Sequence, residues 1–430
     1  RCSRDWSSDV CSSDLQTSNF AAEFGKAGGA AINYTMKSGT NAFHGSAYDY
    51  FVNEFLHAGT PNTDWADQGA RYAYKAGQQI RNRQRRNDYG FTFGGPIAIP
   101  KIYDGHNKSF FFFNWEQFRE TQKIATSSAT MPTQAYRTGD FTSAGCLTYD
   151  VNTLTCTNRQ AITLNGAPAV DAAGNPVING GIYDPASYKI VNGFPTRSLY
   201  PNQRIPVASM DKVVLAIQNQ MPLPTNNNLT QNYTVPAYDN YRYVTIPSIK
   251  IDHNLSSTLR INGYWGQTIR DQNNAIGFLF DQFPWTSQQS TPYHNHTVRI
   301  NIDKTLAPTL ILHIGLGYFH QKEPNIAPQY DQTKIGLPGA GAVNAYPYPN
   351  AYPTIGGLVG GAGGFSPAIG VGFDATAWEQ KPTANLNLTW VKGNHTYKFG
   401  GDMTLQGYPT HNRWRANGNF TFAAQQSGNP

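Results

Sequence analysis

The chain has 430 residues, a formal net charge of +6 at pH 7, 14% charged residues and 13% aromatic residues. Ordinary soluble domains carry roughly 25% charged residues, so this chain is poor in charge. No long Lys/Arg tract accompanies the weak basic excess, which argues against a nucleic-acid partner. No stretch approaches the ~18 consecutive apolar residues that a membrane-spanning helix requires.

The chain begins with residues 1–15, RCSRDWSSDVCSSDL, which repeat Ser-Ser-Asp and show no apolar period. This segment resembles a translated sequencing adaptor, and we exclude it from fold reasoning. Residues 16–41 contain many small side chains, and we expect them to form the end of a compact unit. From residue 42 to residue 430 the sequence changes to strand patterns separated by polar loops.

A short segment, residues 37–41, separates the compact unit from the strands. Its sequence, Lys-Ser-Gly-Thr-Asn, is typical of a turn, because Gly tolerates positive φ and Ser and Asn side chains bond their own backbone. We therefore expect a turn here, with Gly39 as its permissive residue.

Alternation of apolar and polar residues with a period of two predicts about ten strands. For example, Ile249 and Ile251 alternate with Lys250 and Asp252. The pattern favours strands at residues 43–51, 89–96, 108–119, 241–252, 259–265, 298–303, 310–318, 384–390, 397–405 and, less regularly, 414–422. One face carries Ile, Leu, Val and aromatic residues, and the other carries Arg, Asn, Asp, Lys and Thr.

The connections between these strands alternate between long and short. The longest are residues 121–240, rich in Pro, Asn, Thr and Gly, and residues 322–378, rich in Gly and Tyr. Short turns at one end and long loops at the other are the arrangement of an outer-membrane β-barrel. In a soluble β-sandwich, nothing requires long and short connections to alternate along the chain. The sequence therefore predicts an all-β, antiparallel transmembrane β-barrel with its apolar face toward lipid and its charged face toward the lumen.

Several motifs resemble the TonB-dependent outer-membrane receptors, specifically their Oar-like branch, and follow the same order from about residue 16 onward. Residues 28–33 and 37–41 resemble the last strand of the plug domain and its junction with the barrel. Further segments resemble the first strands of the family's barrel and the long loop that follows them. These segments are residues 43–47, 86–90, 94–97, 108–119, 131–133, 137–141, 182–185, 202–206 and 222–224. The plug–barrel junction that the resemblance implies comprises Lys37, Ser38, Gly39, Thr40 and Asn41.

This resemblance implies a receptor in the cell outer membrane that binds a ligand through extracellular loops and imports it through a plugged lumen. Its partners would be outer-membrane lipid, an energy-coupling TonB complex and an imported ligand that the sequence does not identify. The TonB box, most of the plug and about half of the family's roughly twenty-two barrel strands have no counterpart here. We therefore expect a fragment whose sheet has two open edges.

Two cysteines lie within the first very long loop. Cys146 and Cys156 flank LTYDVNTLT, a sequence suited to a small hairpin. Cysteines so placed favour a disulfide in an oxidising compartment. We expect this disulfide to lie outside the reducing cytosol.

Other polar clusters favour ordinary surface or lumen roles. His294 and His296 would point to one side of a strand and could ligate a metal, but no third ligand is near in the sequence, so lumen or loop histidines are the favoured interpretation. A basic cluster could bind an anion, although a solvated loop end is the favoured interpretation; its members are Arg81, Arg83, Arg85 and Arg86. No nucleophile–base pair, carboxylate dyad, phosphate loop or cofactor motif is evident, so we do not expect an enzyme.

The main alternative is a secreted or surface β-rich binding or adhesion protein without transport. A β-rich hydrolase is the weakest interpretation, because no catalytic set accompanies the strands. Retention in the outer membrane after a high-salt wash would separate the barrel from both alternatives.

Overall fold

The computed structural model of the protein describes residues 11–16, 31–57, 83–124, 128–234, 238–275, 288–325, 330–337, 352–357, 359–360, 363–364, 370, 375–412, 418–423 and 426. Within these residues nine long strands form one antiparallel sheet, and we label them β1 to β9 in chain order. Their bounds are His44–Val52 (β1), Gln84–Pro96 (β2), Ser109–Ile124 (β3), Tyr238–Ser256 (β4), Leu259–Ala275 (β5), Tyr293–Ala307 (β6), Leu310–Asn325 (β7), Ala375–Lys392 (β8) and His395–Thr404 (β9).

Each strand of the sheet pairs with its neighbour in the sequence, so the order from β1 to β9 is an up-and-down meander. Two short strands extend it: Gln288–Ser290 pairs with β5, and Thr410–Asn412 pairs with β8. In the described part of the chain, β1 and β9 form the two edges of the sheet and do not pair with each other. The meander confirms the antiparallel all-β architecture that the period-two patterns predict.

The connections alternate in length, as the sequence predicts. Residues 97–108, 257–258, 308–309 and 393–394 make the connections at one end of the sheet. The opposite end carries residues 53–83, 125–237, 276–292 and 326–374. We call these the turn end and the loop end; in outer-membrane barrels the first is periplasmic and the second is extracellular.

Side chains alternate between the two faces of the sheet. The outer face exposes large apolar side chains, among them Phe91, Phe93, Trp265, Val298, Ile300, Leu316, Tyr318 and Leu386. The inner face buries polar side chains, among them Thr92, Asn114, Ser248, Asp252 and Thr268. Apolar rows turned outward suit a hydrocarbon solvent, and polar rows turned inward suit a lumen. The run at residues 110–113 is apolar on both faces, so Phe112 lies on the inner face, where it is 2% exposed.

Between β3 and β4 the chain builds a compact unit, residues 128–234, which we call the loop body. Its ends pair as the strands Ser128–Ala129 and Tyr233–Thr234. Inside it lie the helices Gln134–Arg137 and Lys212–Gln220, the 3-10 turns Pro185–Ser187, Pro201–Gln203 and Val207–Ser209, and hairpins that pair Cys146–Asp150 with Thr155–Arg159, Thr163–Leu164 with Ala167–Pro168, and Lys189–Val191 with Phe194–Thr196. The longer helix begins at Asp211, whose carboxylate accepts hydrogen bonds from the N–H groups of Val213 and Val214.

A hydrophobic core joins the loop body to the connection between β7 and β8. Its buried side chains are Ala129, Met131, Ile217, Met221 and Tyr233 from the loop body, and Tyr330, Ile335, Tyr352 and Ile355 from the β7–β8 connection. The 3-10 turn Gln332–Ile335 and the short strand Thr354–Gly356 carry part of the second group. Within the Gly- and Tyr-rich loop, Ile335, Tyr352 and Ile355 therefore pack into this core.

The remaining short elements lie in connections. Ala98–Ile99 pairs with Tyr103–Asp104 at the turn end, Val359–Gly360 pairs with Gly363–Gly364 at the loop end, and the 3-10 turn Glu54–Leu56 follows β1. Among the described residues, no helix is long and apolar enough to cross a membrane.

The expectation that the tenth strand belongs to the sheet is wrong. At residues 414–422, Asn419–Thr421 pairs in parallel with Thr354–Gly356 and does not join the sheet, because after β9 the chain continues beside β8 as Thr410–Asn412; residues 413–417 lie outside the described residues. Within residues 1–15, the structure has the strand Cys11–Gln16, paired with Ala31–Met36. Backbone hydrogen bonds to a partner strand form without any alternation of side chains.

Candidate functional site

The expected plug–barrel junction, residues 37–41, lies against the inner face of the sheet at its turn end. Gly39 is buried, and a Cβ on it would collide with the carbonyl oxygens of Phe111 in β3 and Gly95 in β2. Residues 37–40 form no turn, and Gly39 does not have positive φ. The chain bends at Asn41 and Ala42, so the expectation is wrong in giving Gly39 as the permissive residue of the turn; this glycine is required because the backbone approaches the wall closely.

Lys250 of β4 attaches the junction to the inner face. Its ammonium group donates hydrogen bonds to the carbonyl oxygen of Met36 at 3.2 Å and to Oγ of Ser38 at 2.8 Å. Asp252, which is 1% exposed, places Oδ1 3.8 Å from Nζ of Lys250 and 2.9 Å from the guanidinium of Arg260. Lys250 and Arg260 together carry two positive charges, and Asp252 neutralises only one of them. The remaining positive charge strengthens the hydrogen bonds from Lys250 to the oxygen atoms of Met36 and Ser38.

A second set of contacts holds Asn41. Its Nδ2 donates to Oδ1 of Asn107 at 2.6 Å, and the backbone N–H of Asn107 donates to Oδ1 of Asn41 at 2.7 Å. Asn254 donates from Nδ2 to the carbonyl oxygen of Asn107 at 3.2 Å. The contacts of the Thr40 hydroxyl are local: it donates to the carbonyl oxygen of Ala42 and lies 3.3 Å from Nδ1 of His44. The junction is thus bonded to the wall on both sides of Gly39, while the side chain of Lys37 is exposed.

The candidate disulfide lies in the first hairpin of the loop body. Cys146 and Cys156 are bonded in the structure, with their Cα atoms 5.7 Å apart. The hairpin expected between them is present, since Cys146–Asp150 pairs with Thr155–Arg159. The oxidation state in protein purified from membranes stays a prediction.

Buried polar groups hold the loop body together. Asn232 is 0% exposed, and its amide accepts from the N–H of Met131 at 2.7 Å and donates to the carbonyl oxygen of Met131 at 2.9 Å. Arg137 donates to the carbonyl oxygens of Gln218, Met221 and Pro222. These contacts place a cation at the C-terminal end of the helix Lys212–Gln220, where carbonyl groups lack partners within the helix.

Asp171 is a buried carboxylate at the centre of the loop body, 1% exposed. Burial alone would raise its pKa, but hydrogen bonds from the backbone N–H groups of Leu199, Asn175 and Ala173 outweigh burial and lower the pKa below its usual value. The ionised form of Asp171 therefore stabilises the folded loop body.

A hollow of about 370 Å³ indents the inner face where β6, β7 and β8 meet. Gly317 leaves room there, and the hollow is lined by Arg299, Phe319, Glu379, Lys381 and Thr383. The ammonium group of Lys381 lies 3.2 Å from the carboxylate of Glu379. Because the hollow carries both signs of charge, its electrostatics alone do not select a ligand.

The histidine pair lies on neither the lumen face nor a loop. His294 and His296 belong to β6 and share the outer face with Val298 and Ile300, so the favoured interpretation is wrong. A third imidazole, His320 of β7, is directly opposite His296, and the two ring centroids are 6.5 Å apart. The sequence does not reveal this pairing, because the two-residue turn pairs Ala307 with Leu310 and an irregularity between Thr305 and Ala307 then shifts the register by one residue. In the described part of the chain, no group of three or more His, Cys, Asp or Glu residues is placed to hold a metal ion.

The basic cluster is only partly a loop end. Arg85 and Arg86 lie in β2, and Arg85 donates to the carboxylate of Glu54 at 2.8 Å. That hydrogen bond lowers the pKa of Glu54. Arg81 lies outside the described residues. Since Glu54 matches the charge of Arg85, this pair offers no separate site for an anion.

Comparison with known proteins gives the following matches. The family model described as outer membrane beta barrel domain matches residues 35–430. No curated protein matches the chain. The solved structure of the outer membrane transporter YddB from Escherichia coli is 11% identical with a TM-score of 0.47, over 93% of this chain and 35% of that one. The open form of the ferric-catecholate import receptor Fiu from E. coli K12 is 10% identical with a TM-score of 0.37, over 94% of this chain and 51% of that one. The chain therefore spans between about a third and a half of the length of these structures.

Proposed function

Because the family model covers residues 35–430, the chain belongs to the outer membrane beta barrel domain family and lies in the outer membrane, and from this premise we propose that it acts as a TonB-dependent receptor. In this proposal the loop end captures a ligand, and the lumen imports it. Residues 37–41 are the tether of a plug that an energy-coupling TonB complex displaces. The ligand is not identified.

The contact of Lys250 with Met36 and Ser38 carries the proposal. A plug tether must stay on the lumen wall at rest and must leave it when the plug moves. A hydrogen bond to a charged group contributes about 1.5–3 kcal/mol, which is enough to hold the segment and small enough to break during transport. The close approach of Gly39 to the wall supports the same role, because it keeps the tether out of the lumen.

The loop end supports ligand capture. The loop body and the β7–β8 connection share one hydrophobic core, so they form a common surface built on two different loops. Binding residues are often carried by loops that a rigid scaffold positions. A ligand bound to this surface would contact both loops at once.

Ion conductance tests the proposal without knowledge of the ligand. The full-length protein is placed in planar lipid bilayers in KCl, as wild type, as Lys250→Met and as Lys381→Met, a matched control with a lysine elsewhere on the inner face. We expect the wild type and the control to stay closed and Lys250→Met to open frequently. If Lys250→Met remains as closed as the wild type, the tether does not gate a lumen, and a surface-binding role without transport becomes the better account.

A further inference from the structure

The outer face of the sheet carries a patch of four basic side chains at its loop end, which we call the histidine–lysine patch. Its members are His294 and His296 of β6 and His320 and Lys322 of β7. His296 lies opposite His320, and His294 lies opposite Lys322. Successive positions on one face are two residues apart in the sequence, so the patch spans ~7 Å along the strands.

The patch lies directly beyond the apolar band of the outer face. The last row that is apolar on all four strands consists of Trp265, Val298, Tyr318 and Pro382. The next row toward the loop end consists of Gln267, His296, His320 and Gln380, and is entirely polar. Two positions further along, His294 and Lys322 are flanked by Ile269 and Trp378. Aromatic side chains mark the boundary between hydrocarbon and head groups in membrane barrels. The histidine–lysine patch therefore lies at the level of the lipid head groups in the extracellular leaflet.

No carboxylate on the outer face of β6 or β7, the strands that carry the patch, neutralises its charge. The outward positions of β6, β7 and β8 hold none. Glu323 and Glu379 point inward, where they pair with Arg270 and Lys381. The outward carboxylate of β5 is Asp271, which lies beyond Ile269 and is opposite Tyr243 of β4. The patch thus presents one ammonium group and three imidazoles to the head-group layer.

We propose that the histidine–lysine patch binds the phosphate of an anionic lipid head group in the extracellular leaflet. Lysine binds phosphate as a point charge, and imidazole N–H groups donate hydrogen bonds to its oxygens. His296 and His320 are half-buried, and their rings are stacked with centroids 6.5 Å apart and ring planes 29° apart. The apolar row below accommodates the acyl chains of the same lipid. This inference requires the barrel and its orientation, and it does not depend on transport.

Calorimetric titration of the full-length protein in non-ionic detergent tests the proposal. The probes are dioctanoyl phosphatidic acid, dioctanoylglycerol and inorganic phosphate. The variants are Lys322→Gln, the triple variant His296→Gln/His320→Gln/Lys322→Gln, and the control Lys381→Gln on the inner face. A basic residue near an anionic membrane surface contributes about 1 kcal/mol, so we expect affinity for phosphatidic acid to fall about fivefold in Lys322→Gln. We expect a loss of about tenfold or more in the triple variant and no change in the control.

Each contrary outcome overturns the proposal. Unchanged affinity in Lys322→Gln and the triple variant would show that the patch does not bind the lipid. An equal loss in Lys381→Gln would show a general charge effect. If inorganic phosphate binds as tightly as phosphatidic acid, the patch is a site for free phosphate. If dioctanoylglycerol binds as tightly as phosphatidic acid, the phosphate group does not contribute to binding. Heat-modifiable migration on gels confirms that each variant is folded before it is titrated.

Discussion

The barrel wall and the loop body are held together by different means. The wall is a single layer of strands whose backbone groups bond to their neighbours and whose side chains divide between two faces. Among the described residues, the hydrophobic core cluster lies outside these strands. The loop body buries Met131, Ile217 and Tyr183 and holds buried polar groups such as Asn232 and Asp171. The wall depends on its surroundings, lipid outside and lumen inside, whereas the loop body carries its stabilising contacts within the chain.

This difference predicts that the two regions fail independently. A cavity in the loop body should loosen the loop end and leave the strands paired. A charge on the outer face should destabilise the wall without changing the contacts in the loop body. The junction at residues 37–41 belongs to the first four strands of the wall, because its partners lie in β2, β3 and β4 and in the connection between β2 and β3.

Replacing Met131 with Ala tests the core of the loop body. Met131 is 1% exposed, and removing a buried side chain of this size costs about 2–5 kcal/mol. We expect rapid proteolysis within residues 128–234 with unchanged heat-modifiable migration of the barrel. Ile190→Ala is the control, because Ile190 is 66% exposed. Loss of heat modifiability in Met131→Ala would show that the two regions are not separate.

Replacing Ile314 with Arg tests the wall. Ile314 occupies the middle of the outer apolar row of β7 and is opposite Ile302 and Leu386. An arginine near the middle of a bilayer costs about 2–4 kcal/mol on the lipid face of a barrel, and refolding into vesicles followed in urea measures it. Asn301→Arg, on the inner face of the next row, should cost clearly less. Equal costs at the two positions would contradict the assignment of the faces.

Reducing the disulfide should loosen part of the loop body. The bond joins residues separated by 10 positions, and closing such a loop contributes on the order of 2–3 kcal/mol. We expect faster hydrogen exchange in Cys146–Asp150 and Thr155–Arg159 after reduction, with the wall unchanged. Free thiols at Cys146 and Cys156 in protein purified from outer membranes would refute the pairing.

Acid should have the smallest effect and should act on the loop body. The pKa of Asp171 is lowered in the folded state, so its stabilisation is complete above the unfolded value of about 3.9 and is lost as the pH falls through the folded value. We expect protease sensitivity to rise below about pH 4 and to rise less steeply in Asp171→Asn. Asp140 and Asp150 also have lowered pKa values, so part of the acid response should remain. An identical acid response in wild type and Asp171→Asn would contradict the role of Asp171.

Most of the wall could be predicted from the sequence, because the alternation of Ile249 and Ile251 with Lys250 and Asp252 is a local pattern with a period of two. The loop body could not, because its core combines Ile217 with Tyr352, which no local pattern connects. Residues 37–41 were identified by resemblance. Their bond to Lys250 joins Ser38 to a residue 212 positions away, and only the register of β1 to β4 brings the two together.

The most direct test of the account is hydrogen exchange at the backbone amides of residues 37–41 in wild type, Lys250→Met and Lys381→Met. Losing a hydrogen bond to a charged group costs about 1.5–3 kcal/mol, so exchange in the junction of Lys250→Met should be about ten to one hundred times faster. Asp252 keeps Arg260 as its partner, so β4 and β5 should exchange as before, and Lys381→Met should match the wild type throughout. Unchanged exchange at residues 37–41 in Lys250→Met would contradict the central claim that this lysine attaches the junction to the barrel wall.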